Sequence, residues 1–118
     1  MTYVDGLVAA VPTARKEEFI AWSRRMSQAF RKNGALRQVD CWGDQVPEGK
    51  LTSLPMAVKC GPDETVVFSW VEWPSKAVRD AAWAALESDP QMQPGADPMP
   101  FDGTRMIFGG FEMVVEET

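Results

Sequence analysis

Two segments of the sequence repeat the same local pattern, and this repetition restricts the possible folds more than any other feature. VPTARKEE at 11–18 and WPSKAVRD at 73–80 both lead from the end of an apolar run, through proline and a hydroxyl residue, into a charged segment. Proline followed by Thr13 or Ser75 is typical of the start of a helix, where the hydroxyl can cap the first turn. The chain is therefore predicted to contain two strand-and-helix units.

Apolar periodicity places the elements around these two helix starts. Between Ala14 and the stop signal at Asn33, apolar residues recur every three or four positions, which predicts an amphipathic helix with one buried stripe. The stripe consists of Phe19, Trp22, Met26 and Phe30. A second helix is predicted at 76–89, and strands are predicted at 2–11, 36–43, 55–60, 64–73 and 105–116. The strand 55–60 is expected to form a hairpin with 64–73, and 90–103 is expected to be loop.

Two such units, each a strand, a helix and a strand, predict an α+β fold of the ferredoxin-like type, β-α-β-β-α-β, with residues 1–118 forming a single domain. Its four-stranded antiparallel sheet would carry two helices on one face. The Trp, Phe and Val residues of the strands would leave the other face as a large exposed apolar patch. A second copy of the chain is the simplest cover for that patch, so we expect a homodimer.

The chain contains no histidine, and its net charge is −5. Histidine is the commonest general base and a frequent metal ligand, so its absence predicts that no metal and no cofactor are bound. Any catalysis would depend on carboxylates, hydroxyls, cysteines, lysines or arginines. The sequence leaves open whether the protein is an enzyme.

Basic residues are concentrated in the first predicted helix, since seven basic and only two acidic residues lie at 15–37. A solvated helix face is the favoured interpretation, because an acidic chain without a nucleic-acid motif disfavours an RNA or DNA partner. No stretch approaches the ~18 apolar residues of a membrane span, which disfavours a membrane partner and predicts a cytoplasmic protein. Cys41 and Cys60 are expected to be free, buried or half-buried thiols.

Five segments of the sequence resemble a known family. YVDG at 3–6, CWGD at 41–44, VVFSW at 66–70, WPSK at 73–76 and MPFDGTRMIFGGFE at 99–112 are similar to the YbaA-like family of small bacterial proteins, grouped under a domain of unknown function. The resemblance spans nearly the whole chain. It implies a dimeric α/β barrel, in which two ferredoxin-like subunits pack sheet against sheet. It implies no established activity and no catalytic residues.

Four carboxylates are predicted to lie on strands: Asp5, Asp40, Glu72 and Glu112. A strand side chain points into the core or into the barrel, where a charge is costly unless it is paired with an opposite charge or takes part in binding or catalysis. Each carboxylate could anchor a ligand or act as a general base. The alternative for each is an ion pair with Arg37, Arg105 or a lysine, or an exposed position at a strand end.

Tryptophans on the predicted strands are a second group of candidates. Trp42, Trp70 and Trp73 would suit a flat, apolar ligand if they faced a cavity. Packing in the core or at a dimer interface is the favoured alternative. Cys41 is not expected to be a nucleophile, because no histidine can activate it and the neighbouring Asp40 disfavours the thiolate.

The segment Met99–Glu112 contains three glycines and one arginine, but it lacks the Gly-x-x-x-x-Gly-Lys-Ser/Thr pattern of a phosphate-binding loop. Residues 100–103 are predicted to form a turn, after which Arg105 enters a strand. Gly109 and Gly110 then lie inside that strand, where glycine indicates a bulge or a close approach. A facing side chain, the partner subunit or a ligand held by Arg105 could make that approach.

The sequence therefore predicts a homodimer that binds a small, partly apolar molecule in a cavity, either between sheet and helices or at the barrel centre. Turnover of that molecule without a cofactor is left open. The alternative is a non-catalytic homodimeric module that acts through a protein or RNA partner. The candidate ligand-binding residues are Asp5, Asp40, Trp42, Trp70, Glu72, Arg105, Gly109, Gly110 and Glu112.

Overall fold

The computed structural model of the protein describes residues 2–93 and 95–118. The strands are β1 Tyr3–Pro12, β2 Arg37–Trp42, β3 Glu64–Trp73 and β4 Ile107–Glu112, and the helices are α1 Lys16–Lys32, α2 Leu54–Ala57 and α3 Lys76–Glu87. The four strands form one sheet in the order β2-β3-β1-β4, and every neighbouring pair is antiparallel. This is the predicted ferredoxin-like arrangement, in which each strand–helix–strand unit encloses a strand of the other unit.

Helices α1 and α3 cover one face of the sheet, which we call the helix face. Alternate residues of β1 point to this face, because side chains of a strand alternate between its two sides. Ala9 and Val11 pack against Phe19 of α1, and Tyr3 packs in a cluster with Ala82 of α3. The predicted apolar stripe of α1 is confirmed, since all four of its members are buried or half-buried, and Phe19, Trp22 and Phe30 belong to these clusters.

The opposite face of the sheet, which we call the open face, is covered only at one end. There Val8 and Val66 pack against Val58, which belongs to the connection between β2 and β3. The remaining large apolar side chains of this face are Val4, Val39, Phe68, Trp70, Ile107 and Phe111. Phe111 is 59% exposed, so a continuous apolar surface is left on this side of the sheet.

The predicted strand at 55–60 is wrong, because residues 54–57 form the short helix α2. The Ser53 side chain accepts a hydrogen bond from the Met56 backbone N–H at 3.1 Å, which caps this helix. Pro55 lies in its first turn and has no N–H to donate to a strand partner. The expected hairpin does not form, since β3 already has β1 and β2 as its neighbours.

The two proline-led helix starts are not equivalent in the structure. Ser75 caps α3 as predicted, accepting a hydrogen bond from the Val78 backbone N–H at 3.2 Å. Thr13 does not cap α1, because residues 13–15 form a 3-10 turn and α1 begins only at Lys16. The Thr13 hydroxyl is instead 2.7 Å from the Thr65 hydroxyl on the neighbouring strand.

The segment before the last strand differs from the prediction in one respect. Residues 103–105 form a 3-10 turn capped by Asp102, so Arg105 precedes β4 rather than entering it. In the part of the predicted loop 90–103 that the structure describes, which leaves out position 94, a 3-10 turn forms at Pro90–Met92 and a second begins at Gly103, and the remaining residues form neither helix nor strand, as predicted. Across residues 2–93 and 95–118, no helix is long and apolar enough to cross a membrane.

Candidate functional site

A cavity of about 310 Å³ lies between α1 and the edge strand β2, and we call it the α1–β2 cavity. Its lining residues are Lys16, Phe19, Ile20, Ser23, Arg24 and Ser27 from α1, and Gln38, Asp40 and Trp42 from β2. This volume lies at the lower end of the range of about 300–1,000 Å³ that is typical of small-molecule sites.

The alternation of β2 explains why polar groups line this cavity. Trp42 lies opposite Val67, which packs against Phe19, so Trp42 points to the helix face. Asp40 and Gln38 follow at intervals of two residues and therefore point to the same face. The exposed carboxylate of Asp40 and the half-buried amide of Gln38 therefore lie beside Trp42 on this face.

Several buried polar atoms in this region have no hydrogen-bond partner among the described residues. Ser23 is only 5% exposed and lies on the buried side of α1, yet its hydroxyl is unpaired. The Gln38 Oε1 atom and the hydroxyl of Ser69, the residue opposite Asp40 in the sheet, are also unpaired. An unpaired buried polar group costs about 1–3 kcal/mol, so several of them beside one cavity favour a binding site over a plain core.

The orientation of the Gln38 amide is determined by its neighbours. Its Nε2 donates hydrogen bonds to the Ser23 backbone carbonyl at 3.3 Å and to Asp40 Oδ2 at 2.9 Å. The opposite orientation would place Oε1 against two acceptors, which is unfavourable. Oε1 is therefore the atom left buried without a partner among the described residues.

Aromatic rings and two cations complete the α1–β2 cavity. The Phe19 and Trp42 ring centroids are 6.0 Å apart, and Lys16 Nζ lies 5.4 Å from the centroid of Trp42. Within the described part of the chain, neither Lys16 nor Arg24 forms an ion pair. The cavity thus combines an apolar wall with two unpaired cations and the single carboxylate of Asp40.

Asp5 lies on the helix face, outside this cavity, in a network that satisfies its carboxylate. Its Oδ2 accepts hydrogen bonds from the indole N–H groups of Trp73 and Trp83 at 2.9 and 3.1 Å. Its Oδ1 accepts from Arg79 Nη2 at 2.8 Å. The hydrogen bond between Arg79 and Asp5, together with that to Asp80 and the charge of Asp5, raises the pKa of Arg79 above its ordinary value. Asp5 therefore forms an internal ion pair, but its partner Arg79 is not among the basic residues expected from the sequence.

Trp70 and Glu72 lie together on the open face. Glu72 Oε2 accepts a hydrogen bond from the Trp70 indole at 2.9 Å and is 3.0 Å from Arg37 Nε. Both residues are half-buried at the margin of the apolar surface. They lie on the opposite face of the sheet from the α1–β2 cavity, so they cannot share a ligand with it within one subunit.

The Arg105 guanidinium makes only internal contacts. It forms a two-point ion pair with Glu64, at 2.6 Å from Nη2 and 2.7 Å from Nη1, and Nε lies 3.0 Å from Asp102. Hydrogen bonds from Arg105 and from the Gly61 backbone N–H lower the pKa of Glu64 to about 2. This arrangement ties β3 to the turn before β4, which is a structural role.

A facing side chain makes the close approach at the glycine pair. A Cβ atom on Gly110 would lie 2.8 Å and 2.9 Å from two ring carbons of Tyr3, so the buried tyrosine ring lies directly against this glycine. Gly109 is less constrained, since its nearest contact would be Phe111 at 3.6 Å. Glu112 is exposed at the end of β4, opposite Tyr3.

The nine candidate residues thus occupy several places, and only Asp40 and Trp42 lie in the α1–β2 cavity. Four further polar residues of the cavity were not predicted from the sequence: Lys16, Ser23, Arg24 and Gln38. Ser23 could have been found from its spacing, because it lies four residues after Phe19 and three before Met26 on the buried stripe. Gln38 could have been found from its alternation with Asp40 and Trp42.

The two cysteines are free, and only Cys60 is half-buried as expected. Burial raises the pKa of the Cys60 thiol. Cys41 is exposed, because the open face of β2 has no covering element. Among the described residues, no group of three or more histidine, cysteine, aspartate or glutamate side chains could hold a metal ion.

A larger cleft of about 840 Å³ lies between the second half of α1 and the segment that follows α3. Arg25 and Asp97, which line it, form an ion pair at 2.7 Å. None of the unpaired buried atoms found in the described residues lines this cleft. It therefore lacks the feature that distinguishes the α1–β2 cavity.

Comparison with known proteins supports the same fold and confirms the resemblance seen in the sequence. The family model described as "Protein of unknown function (DUF1428)" matches residues 2–103. The chain is 50% identical over 117 residues to the uncharacterized protein YbaA of Escherichia coli and of Shigella flexneri, covering 99% of this chain and 100% of each relative. The crystal structure of a dimeric ferredoxin-like protein from an uncultured marine organism matches with a TM-score of 0.63 at 15% identity, covering 99% of this chain and 98% of that one.

Proposed function

The chain belongs to the DUF1428 family, and we propose that it binds a small, partly apolar molecule in the α1–β2 cavity. The observation that carries this proposal is the pair of buried, unpaired polar groups, the Ser23 hydroxyl and Gln38 Oε1, beside the aromatic rings of Phe19 and Trp42. A protein that needed only stability would place apolar residues there, because unpaired buried polar groups are costly. A ligand that pairs with these atoms recovers that cost on binding.

Nuclear magnetic resonance of the indole N–H groups tests this proposal directly. A library of small aromatic and alicyclic fragments is titrated into ¹⁵N-labelled protein, and the Trp42 signal is assigned from its absence in Trp42→Phe. Binding in the α1–β2 cavity shifts this signal and leaves the Trp70 signal, assigned from Trp70→Phe, in place. A library in which no fragment moves the Trp42 signal contradicts the proposal.

Turnover of the bound molecule would depend on Asp40, the only carboxylate among the described residues that line the cavity. A carboxylate beside a bound ligand can accept a proton from it, and this is the step for which Asp40 is placed. Asp40→Asn keeps the shape of the side chain and removes the proton acceptor. Loss of turnover with retained binding in this variant would support a catalytic role, and equal turnover in both proteins would exclude it.

We further propose that the protein is a homodimer, in which the open faces of two subunits pack together as a dimeric α/β barrel. The support is the apolar surface of Phe68, Ile107 and Phe111 on that face, together with the matching structure, which is described as dimeric. Burying such a surface contributes roughly 25 cal/mol per Å² of apolar area, which favours self-association.

Two phenylalanines of β4 offer a matched test of the interface. Phe111 faces the open side, whereas Phe108 faces the helix side and is 74% exposed beyond the edge of the helices. Phe111→Glu is expected to give a monomer in light-scattering measurements, and Phe108→Glu is expected to remain a dimer. The interface lies elsewhere if both variants behave alike.

The non-catalytic module remains the competing proposal, and native mass spectrometry of the purified protein separates the two. A dimer that carries a small molecule through purification supports ligand binding. A dimer without any ligand that is captured in a complex with another protein supports the module.

A further inference from the structure

We propose that the ligand of the α1–β2 cavity is a single-ring carboxylate that carries a hydroxyl or amino group at the far end of its ring. This inference rests on the proposed binding function and names the class of molecule bound. It follows from the different chemistry at the two ends of the cavity.

The two ends are defined by contacts between α1 and β2. At one end Lys16 lies over Trp42, and at the other end Gln38 donates to the Ser23 carbonyl. Helix and strand therefore run in opposite directions along the cavity. Gln38 and Trp42 are four residues apart on an extended strand, a distance of roughly 13 Å between Cα atoms. The ligand thus meets one set of groups near Trp42 and another near Gln38.

The end near Gln38 requires a hydrogen-bond donor. Gln38 Oε1 can only accept, and its orientation is held by the two bonds of Nε2. Asp40 also contributes a carboxylate, which accepts hydrogen bonds when ionised. The Ser23 hydroxyl, 95% buried by its surroundings, can donate or accept. A hydroxyl or amino group satisfies these atoms, whereas a bare carbonyl or an apolar group leaves Gln38 Oε1 unpaired.

The end near Trp42 favours a negative charge. Lys16 has no carboxylate partner among residues 2–93 and 95–118, and its ammonium group lies 5.4 Å from the Trp42 centroid. A ligand carboxylate there gains a charge-assisted hydrogen bond, which is stronger than one between neutral groups. Arg24 follows Ser23 and so lies toward the Gln38 end, where the Asp40 carboxylate also lies, which leaves Lys16 as the cation of the Trp42 end.

The middle of the cavity suits one ring. Phe19, Ile20 and the face of Trp42 supply apolar walls between the two polar ends. With about 310 Å³ available, the cavity admits a single substituted ring rather than a nucleotide or another multi-ring molecule.

Three probes separate the contributions of the two ends. Para-hydroxyphenylacetate carries both polar groups, phenylacetate lacks the hydroxyl, and tyrosol lacks the carboxylate. Each is titrated into the full chain, and the shift of the Trp42 indole signal gives the dissociation constant. We expect para-hydroxyphenylacetate to bind about tenfold more tightly than either of the other two.

Two variants then assign each effect to its end of the cavity. Lys16→Gln is expected to weaken binding of both carboxylates about fivefold to tenfold and to leave tyrosol unchanged. Gln38→Leu is expected to weaken the two hydroxylated probes and to leave phenylacetate unchanged. Lys32→Gln, at the other end of α1 and outside the cavity, is the matched charge control and should change none of the three constants. Ser23→Ala replaces Gln38→Leu if the latter does not fold, as judged by circular dichroism.

The outcomes distinguish this inference from the proposed function. Equal affinity for all three probes, with no selective effect of either variant, overturns the ligand class while small-molecule binding stands. No shift of the Trp42 signal with any probe, but a shift with other fragments, also overturns the ligand class. No shift with any probe or fragment overturns both proposals and indicates that the polar groups are merely hydrated.

Discussion

Asp5 of β1 and Arg79 of α3 form an ion pair on the helix face, with Nη2 2.8 Å from Oδ1 and Nε 3.1 Å from both carboxylate oxygens. The residues are 74 positions apart in the sequence, and the same carboxylate receives two indole N–H groups. A charge that is 86% buried is tolerated there because each of its oxygens has partners. This pair joins α3 to the central strand β1 of the sheet.

Replacing Asp5 by alanine is expected to lower the free energy of unfolding by about 3 kcal/mol, because Arg79 and two indoles would lose their acceptor in a largely buried site. Urea denaturation followed by tryptophan fluorescence measures the change. Asp80→Ala is the control, since Asp80 also contacts Arg79 but is exposed. A loss in Asp5→Ala no larger than that in the control would show that the pair contributes little.

The Glu64–Arg105 ion pair predicts that stability decreases in acid. The pKa of Glu64 is about 2 in the folded protein, below its ordinary value of 4.5. Its stabilising contribution is therefore complete above about pH 4.5, and it is lost as the pH falls toward about 2. We expect Glu64→Gln to be less stable than the original protein at neutral pH and to lose less stability between these limits. The measurement is the urea midpoint of unfolding as a function of pH for both proteins. Parallel pH dependences of the two midpoints would contradict the prediction.

We expect the Ser23 hydroxyl to lower the free energy of unfolding and to strengthen ligand binding. Ser23→Ala removes an unpaired buried hydroxyl and should raise the free energy of unfolding by about 0.5–1 kcal/mol, while weakening binding in the α1–β2 cavity. Alanine also has a higher helix propensity than serine, so Ser27→Ala on the same helix is the control for that contribution. Thermal and urea denaturation should give a higher free energy of unfolding for Ser23→Ala than for Ser27→Ala. A destabilised Ser23→Ala would show that the hydroxyl has a partner in solution.

The two neighbouring glycines of β4 should respond differently to a methyl group. Gly110→Ala would place Cβ within 2.9 Å of Tyr3 ring carbons and is expected to cost about 1–3 kcal/mol, since that ring is buried and has little freedom to move. Gly109→Ala would meet Phe111 at an ordinary contact distance of 3.6 Å and should be nearly neutral. Differential scanning calorimetry of both variants provides the comparison. Equal melting temperatures would show that Tyr3 moves aside.

Local sequence was sufficient wherever a segment carries its own pattern. The strand predicted at 64–73 has the bounds found in the structure, because almost all of its residues are apolar, β-branched or aromatic. It was not sufficient where a distant residue competes. Thr13 and Ser75 both follow prolines. Ser75 caps its helix, whereas the Thr13 hydroxyl forms a hydrogen bond with the Thr65 hydroxyl of β3 instead of capping α1.

The candidate site was predictable only in part for a related reason. The alternation of β2 indicates that Asp40 and Trp42 share a face, but it does not reveal which helix lies over that face. The strand predicted at 55–60 failed because the preference of its residues for strand was outweighed by the Ser53 cap and by an edge of β3 that β2 already occupies.

The sequence by itself determined the order of the four sheet strands and the two long helices, the buried stripe of α1 and the alternation of the strands, since each depends on residues a few positions apart. The tertiary structure decided which polar groups meet: Gln38 with Ser23, Asp5 with Arg79, and Glu64 with Arg105. Periodicity specifies the direction in which a side chain leaves its own element. The distance between two elements depends on how the whole core packs, and only the folded chain sets it.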